Sequence, residues 1–327
     1  MVGNLLWALA ANRLPGHDGW SKLDLLVASR DENDLRQAFV IYLQKHSSSR
    51  NTRIPTFDVL MGEAEVELRR VQRLGIHLCV LGHQDYPDRL TLIPDPPLML
   101  YLRGHLEKDS SPVAIVGTRR PSQKALRVAY ALGCDFALSS TPVVSGLALG
   151  IDAAAHEGVL AAGGKTWAVL AGGVDQPTPR AHQKLASRLL DAGGALLSEM
   201  PTGSSPVRYA FPRRNRLLSG LCDACVVVQA PRRSGALLTA QYALEQGREV
   251  YVCAEAFEGS IGEGTRDLEE QGALAIRAAS EIFPQNASCQ ESIRELPLPQ
   301  SALDVCARTR GELNGQISRY MGGWFEC

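Results

Sequence analysis

The chain has 327 residues, of which 34 are basic and 35 acidic, for a formal net charge of −1. That balance excludes a cationic surface overall, so any site for an anionic partner must be local. The length allows a sizeable core and sets two domains as the expectation, and no apolar run approaches the ~20 residues of a membrane span.

The eight cysteines are scattered, and Cys79, Cys134 and Cys253 sit in apolar runs. With no leader pattern at the start, this usage points to reduced thiols in a cytoplasm. Cys222 and Cys225 form a CxxC, but no second pair follows at zinc spacing, so they read as small buried residues.

Residues 1–72 read as a helical module. Asn4 to Asn12 is a short Leu/Ala run, Leu23 to Val27 and Ala38 to Leu43 add apolar positions, and Glu63 to Leu74 carries Val66, Val71 and Leu74 among charges at helical spacing. The polar stretch Lys45 to Arg53 reads as a connection. Nothing in this module suggests chemistry.

Residues 73–284 follow a different pattern. Ile76 to Leu81 and Leu98 to Leu102 read as strands, with turns at Asp85-Tyr86-Pro87-Asp88 and at Pro94 to Pro97. Further apolar strands are expected at Val113 to Val116, Val143 to Val144, Trp167 to Leu170, Ala195 to Ser198, Ala224 to Val228 and Val250 to Cys253. Helical intervals alternate with them at Lys124 to Leu138, Ala153 to Ala162, Gln183 to Ala192 and Leu238 to Gln246. This alternation predicts an α/β, mostly parallel, doubly wound Rossmann-like sheet. Residues 285–327 form a short tail.

Polar and glycine residues collect where these strands end, which is where such sheets bind ligands. Val116 leads to Gly117-Thr118-Arg119-Arg120, Val144 to Ser145-Gly146 and on to Gly150 and Asp152, and Val228 to Arg232-Arg233-Ser234-Gly235. Glycine lets a ligand approach the backbone, and helix N-termini present N–H groups to an anion. Ahead of the strand at Ala224 lies Ala210 to Gly220, with Arg213, Arg214 and Arg216 inside four residues. Three guanidinium groups beside a core call for an anionic partner such as phosphate. The plainer reading is a solvated turn whose arginines pair with local carboxylates.

Two other patterns fall short. Gly163-Gly164-Lys165-Thr166 resembles the end of a P-loop but lacks the first glycine and precedes a strand. Asp152 and His156 share a helix face as metal ligands can, yet no third ligand is evident. A capping Asp and a packed His is the simpler reading.

Taken in order, the motifs resemble the DNA-processing protein A (DprA/Smf) family. The resemblance runs from residue 76 to about 283. It rests on Leu74-Gly75-Ile76, Asp85-Tyr86-Pro87 and Ile93 to Gly104, then Val116-Gly117-Thr118-Arg119. Ser145 to Asp152 with Ala155-His156 follows, then Phe211-Pro212-Arg213-Arg214-Asn215-Arg216, Arg233-Ser234-Gly235 and Ala243 to Val250. It implies an extended Rossmann-like fold that binds single-stranded DNA without cutting it and uses no cofactor or metal. It also implies a homodimer that protects incoming strands in natural transformation and hands them to the RecA recombinase.

Under that reading Arg119, Arg120, Arg213, Arg214, Arg216 and Arg233 supply charge, and turns at Gly117, Gly146, Gly150 and Gly235 supply N–H donors. Phe211 is either a stacking platform or a core residue. Thr118, Ser145, Asp152, Asn215, Ser234, Gly264, Thr265 and Arg266 complete the expected phosphate-binding set. With seven Phe, eight Tyr and four Trp, binding should be charge-dominated and sequence-tolerant.

The sequence departs from the family pattern at Leu149 (commonly Arg), Thr178, Gln229 (commonly Glu), Ala236 (commonly Ser) and Cys253-Ala254. Arg266 could offset the loss at 149. The tail is too short for the complete winged helix that many family members carry. The competing reading is a nucleotide-binding or nucleotide-hydrolysing Rossmann-like protein with a defence or signalling role. Against it, Ala171-Gly172-Gly173 and Gly262 to Thr265 only partly match the Pro-Gly-Gly-x-Gly-Thr-x-x-Glu pattern of such hydrolases.

Overall fold

A computed structural model describes residues 5–16, 18–46, 55–282 and the backbone strands 295–296, 317–320 and 323–326. The chain divides into two compact units. One comprises Met1–Arg103, Ala171–Gln176 and Leu197–Ala210, and the other Gly104–Leu170, Pro177–Leu196 and Phe211–Cys327.

In the first unit the amphipathic segments become four helices, α1 (Leu5–Asn12), α2 (Gly19–Ala28), α3 (Glu32–His46) and α4 (Phe57–Arg73). They enclose Leu9, Leu35, Phe39 and Leu60, all under 3% exposed, and the Phe39 and Phe57 rings meet edge to face at 5.3 Å. Thr56 caps α4 by accepting the Val59 N–H at 3.4 Å. Glu67 on α4 is buried because both carboxylate oxygens are used. They accept the Thr202 N–H at 2.7 Å and the Thr202 hydroxyl at 2.9 Å. A single helical turn, α5 (Asp88–Thr91), follows the expected turn at 85–88.

Nine strands form one sheet: β1 (His77–Val80), β2 (Met99–Gly104), β3 (Val113–Val116), β4 (Val143–Ser145), β5 (Thr166–Val169), β6 (Ala195–Ser198), β7 (Ala224–Val227), β8 (Glu249–Cys253) and β9 (Leu274–Ile276). Each strand expected from an apolar run is present. Their spatial order is β1-β2-β6-β5-β4-β3-β7-β8-β9. β1 pairs antiparallel with β2, and β4, β5, β7, β8 and β9 join β3 through parallel ladders. The central strands read as unbroken apolar runs because both faces are covered: β3, β5, β6 and β7 are buried at every residue.

The order reverses at β3. From there the chain steps outward through β4 and β5 to β6, then returns to β7 on the other side and continues to β8 and β9. In an open parallel sheet that reversal opens a crevice beyond the carboxyl ends of the two diverging strands, here β3 and β7.

Helices α6 (Gln123–Leu138) and α7 (Ile151–Ala161) follow β3 and β4. They pack backbone to backbone. A Cβ on Gly158 would lie 2.0 Å from the Tyr130 carbonyl oxygen, and one on Gly133 2.4 Å from that of Ala155. Beneath them Val113, Ile115, Phe136, Val143, Val159 and Val226 form one buried cluster. The remaining helices of this unit are α8 (Gln183–Asp191), α9 (Ala210–Gly220), α10 (Gly235–Glu245) and α11 (Glu263–Glu270).

Two of these depart from expectation. The arginine-rich stretch forms the helix α9 rather than a turn. Pro212 is tolerated because it falls in the first turn, where no intrahelical N–H bond is lost. Helix α11 arises from a charged segment with no apolar run to announce it. At the C-terminal end, β10 (Glu295–Leu296), β11 (Ile317–Tyr320) and β12 (Gly323–Glu326) make a three-stranded antiparallel sheet. The expectation of an incomplete winged helix falls mostly on residues outside the described set. No helix among the described residues is long and apolar enough to cross a membrane.

Candidate nucleic-acid interface

At the end of β3 the chain runs close to two neighbours. A Cβ on Gly117 would sit 2.5 Å from Ile151 Cγ1 and 2.9 Å from the Gln229 carbonyl oxygen, so only glycine fits. Thr118 then pins the turn. Its N–H donates to the Gln229 carbonyl at 2.7 Å, its hydroxyl oxygen accepts the Arg120 N–H at 3.2 Å, and its carbonyl accepts the Ile151 N–H at 3.3 Å. With the backbone held, the Arg119 and Arg120 side chains project outward and are exposed.

The loop after β4 is held from three sides. Buried Asp152 accepts the N–H groups of Gly146 at 3.1 Å and Ala148 at 3.3 Å. Arg214, only 6% exposed, donates to the Gly146 carbonyl at 3.0 Å and also to the Val169 carbonyl. His182 Nδ1 lies 2.8 Å from the Leu147 carbonyl and donates to it. Between these contacts Leu147 takes φ +56°, a left-handed conformation unusual for a leucine and kept because its surroundings leave no alternative. A Cβ on Gly146 would lie 2.5 Å from the Arg214 guanidinium.

Burial dominates the electrostatics of this floor. It pushes the Asp152 carboxyl up, against the pull of the Arg214 charge. It pushes Arg214 down to about 10, with Asp152 opposing. His156 is pushed down to about 3 by burial, with His182 and Arg214 adding, and its Nδ1 lies 2.7 Å from the Thr166 hydroxyl. Asp152 and His156 therefore serve different partners: His156 is packed as expected, whereas Asp152 holds the 146–148 loop and does not cap its helix, whose N-cap is Gly150.

The third wall begins after β7. Gln229 is fully buried. Its Oε1 accepts the Ser122 N–H at 2.8 Å, and its Nε2 donates to the Ala256 carbonyl at 2.7 Å and the Ser122 hydroxyl at 3.3 Å. A glutamate would present an acceptor to that carbonyl, so glutamine is the fitting residue here. Ser234 caps α10 through the Ala236 N–H at 3.2 Å. Asn215 on α9 donates to the Gly235 carbonyl at 3.1 Å and accepts from Arg214 Nε at 3.2 Å, which ties α9 to the start of α10.

These three walls enclose a cleft of about 410 Å³ at the crevice between β3 and β7. Of the residues expected to bind phosphate, Gly117, Thr118, Arg119, Arg120, Asp152, Phe211, Arg214, Asn215, Arg233, Ser234 and Gly235 line it. Phe211 is half-buried, with the Arg119 guanidinium 5.0 Å above its ring. Arg119, Arg120 and Arg233 are exposed, and among the described residues no carboxylate pairs with any of them.

Other expected residues lie elsewhere or serve the scaffold. The Gly146 N–H is taken by Asp152, so it is not a free donor. The Ser145 hydroxyl donates to the Ile115 carbonyl at 2.6 Å. Gly150 packs against the 118–121 turn, with its φ of +83° explaining the glycine. The Thr265 hydroxyl accepts the Ala230 N–H at 2.7 Å, Gly264 lies against the Ala230 carbonyl, and Arg266 donates to the Phe257 carbonyl at 2.8 Å. Arg266 is exposed but does not line the cleft. Arg216 is buried, and neither it nor Arg213 lines the cleft. Arg214 lines the floor, with Nη1 donating to two backbone carbonyls and Nε to Asn215 Oδ1. Gln229 and His182 hold the walls in a way the sequence did not reveal. The only signals were polar side chains next to apolar runs, with nothing to say which backbone atoms they reach.

The family model described as DNA recombination-mediator protein A matches residues 77–286. Protein Smf of Escherichia coli is 41% identical over 212 residues, which is 63% of this chain and 56% of that protein. DNA processing protein DprA of Bacillus subtilis is 38% identical over 213 residues, 64% and 71% of the two chains. The match thus spans little more than half of the Escherichia coli relative. The X-ray structure of DprA from Streptococcus pneumoniae superposes with a TM-score of 0.69 at 26% identity, covering 86% of this chain and 97% of that one. A structure of Helicobacter pylori DNA processing protein A, described as giving insights into a unique single-stranded DNA binding mode, superposes with a TM-score of 0.56 at 28% identity, covering 64% of this chain and 94% of that one.

Proposed function

The chain belongs to the DNA recombination-mediator protein A family, and from that premise we propose that it binds single-stranded DNA in the cleft beyond β3 and β7. The observation that carries this reading is the set of three exposed arginines, Arg119, Arg120 and Arg233, around one cleft, none of them in a salt bridge among the described residues. Unpaired guanidinium groups on one rim follow a phosphate backbone, and affinity built that way falls with salt. Phe211 and the Arg119 plane above it offer a stacking surface that any base can use.

The reading extends to a non-enzymatic protein of the cytoplasm, without a cofactor, that acts as a homodimer. It protects incoming strands in transformation and passes them to RecA. Residues 73–284 act as the DNA-processing domain. A protein of that kind must hold many sequences equally, and a rim of cations does this where base-edge readout would not.

The test is fluorescence anisotropy of a labelled oligothymidine with three competitors: unlabelled single strand, duplex and a mononucleotide. The expected result is salt-sensitive binding that single strands compete best. Displacement by the mononucleotide at equal phosphate concentration, or no binding at low salt, would overturn the reading and favour a small nucleotide ligand.

A further inference from the structure

Arg232 occupies the turn between two cleft-lining residues, Pro231 and Arg233. Its own side chain faces α11. Nε lies 2.8 Å from Asp267 Oδ2, Nη2 3.2 Å from Asp267 Oδ1, and Nη1 3.8 Å from Glu263 Oε2. Two neighbouring arginines on one turn therefore have opposite fates: Arg233 is unpaired at the rim, and Arg232 is held by two carboxylates outside it.

We propose that Arg232 is a latent phosphate contact of the cleft, and that Asp267 and Glu263 set whether a strand engages it. This rests on the single-strand reading above. The three side chains are 65%, 33% and 41% exposed, and ion pairs this exposed are weak and screened by salt. A phosphate diester accepts the same two-pronged bond from a guanidinium as Asp267 does. The strand and the carboxylates thus compete for one cation, with the acids limiting how tightly the parent protein holds DNA. A ligand confined to the cleft never reaches Arg232. A strand running past Arg233 toward α11 does.

The experiment measures affinity for labelled oligothymidine across a salt series in four proteins: the parent, E263Q/D267N, R232Q and R232Q/E263Q/D267N. Thermal melts check that all four are folded. Removing the acids should tighten binding roughly five-fold and steepen the log–log salt slope by ~0.7, the increment for one added phosphate contact on a single strand. The gain should vanish when Arg232 is also replaced. An unchanged slope in E263Q/D267N would overturn the proposal. So would a gain that persists without Arg232, since that is general relief of acidic repulsion. If the parent itself fails to bind, the single-strand reading falls. If the parent binds and the acid variant gains nothing, only the role of Arg232 falls.

Discussion

The rim and the floor of the cleft both present arginine, and they use it in opposite ways. Arg119, Arg120 and Arg233 stand exposed, and among the described residues none of them forms a salt bridge. Arg214, a few residues from Phe211 on the same floor, is buried and donates to the Gly146 and Val169 carbonyls. The difference lies in what each guanidinium can reach. A turn pinned by its own backbone leaves a side chain free to face solvent. A helix crossing the sheet edge drives its side chain into the carbonyls of neighbouring strands and loops. An arginine-rich motif therefore does not equal a phosphate site: Arg214 shapes the floor, and the arginines that face solvent at the rim come from other turns.

The largest expected effect comes from breaking the floor. Arg214→Ala leaves Asp152 buried without its cation and frees two carbonyls, so stability should fall by about 3–5 kcal/mol. Urea denaturation reads this directly. A loss under about 1 kcal/mol would mean that the floor arginine is not structural.

Gly146→Ala attacks the same contact from the other side. Its Cβ would lie 2.5 Å from a guanidinium fixed by hydrogen bonds, and overpacking of this kind costs about 1–3 kcal/mol. The cost should shrink in the Arg214→Ala background, because the obstructing group is gone. Additive losses would contradict the geometry.

An effect that is absent at neutral pH and grows only on acidification comes from behind the floor. His156 is held near 3 in the folded protein, against about 6.5 in an unfolded chain. The folded state therefore resists a proton that the unfolded state takes up. The stabilisation of the neutral ring is fully present above pH ~6.5 and is lost as pH falls toward 3, at up to ~1.4 kcal/mol per pH unit. His156→Gln should flatten that part of the stability curve relative to the parent. Parallel curves would show that His156 is not held neutral.

Much of the fold was legible in the sequence because buried parallel strands carry unbroken apolar runs. β3, β6 and β7 stand out as Val-Ala-Ile-Val, Ala-Leu-Leu-Ser and Ala-Cys-Val-Val. β9 was not legible: Leu274 and Ala275 are exposed and only Ile276 is buried, so the edge strand lacks that signal. Nor was α9, because Phe-Pro-Arg-Arg-Asn-Arg has the look of a turn, and its helix gains its stability from packing rather than propensity.

The site was legible in part, for a related reason. Motif order marks where the turns are, and strand reversal at β3 makes them converge. The division of labour among Arg213, Arg214 and Arg216 is invisible in a linear motif. On a helix each residue turns by about 100° from the last, so neighbouring arginines face different surroundings. Gln229 shows the same limit. As a departure from the family pattern it suggests a weakened site, yet its amide bridges Ser122 and Ala256 in a way a carboxylate would not.

The most direct test of the rim-and-floor account compares the parent with Arg119→Ala/Arg120→Ala/Arg233→Ala in an oligothymidine anisotropy salt series, with a thermal melt of each. The account predicts an unchanged melting temperature, a large loss of affinity at low salt and a log–log salt slope shallower by roughly 2, from ~0.7 for each of three lost phosphate contacts. An unchanged slope in a folded variant would contradict it and move the DNA site away from this cleft.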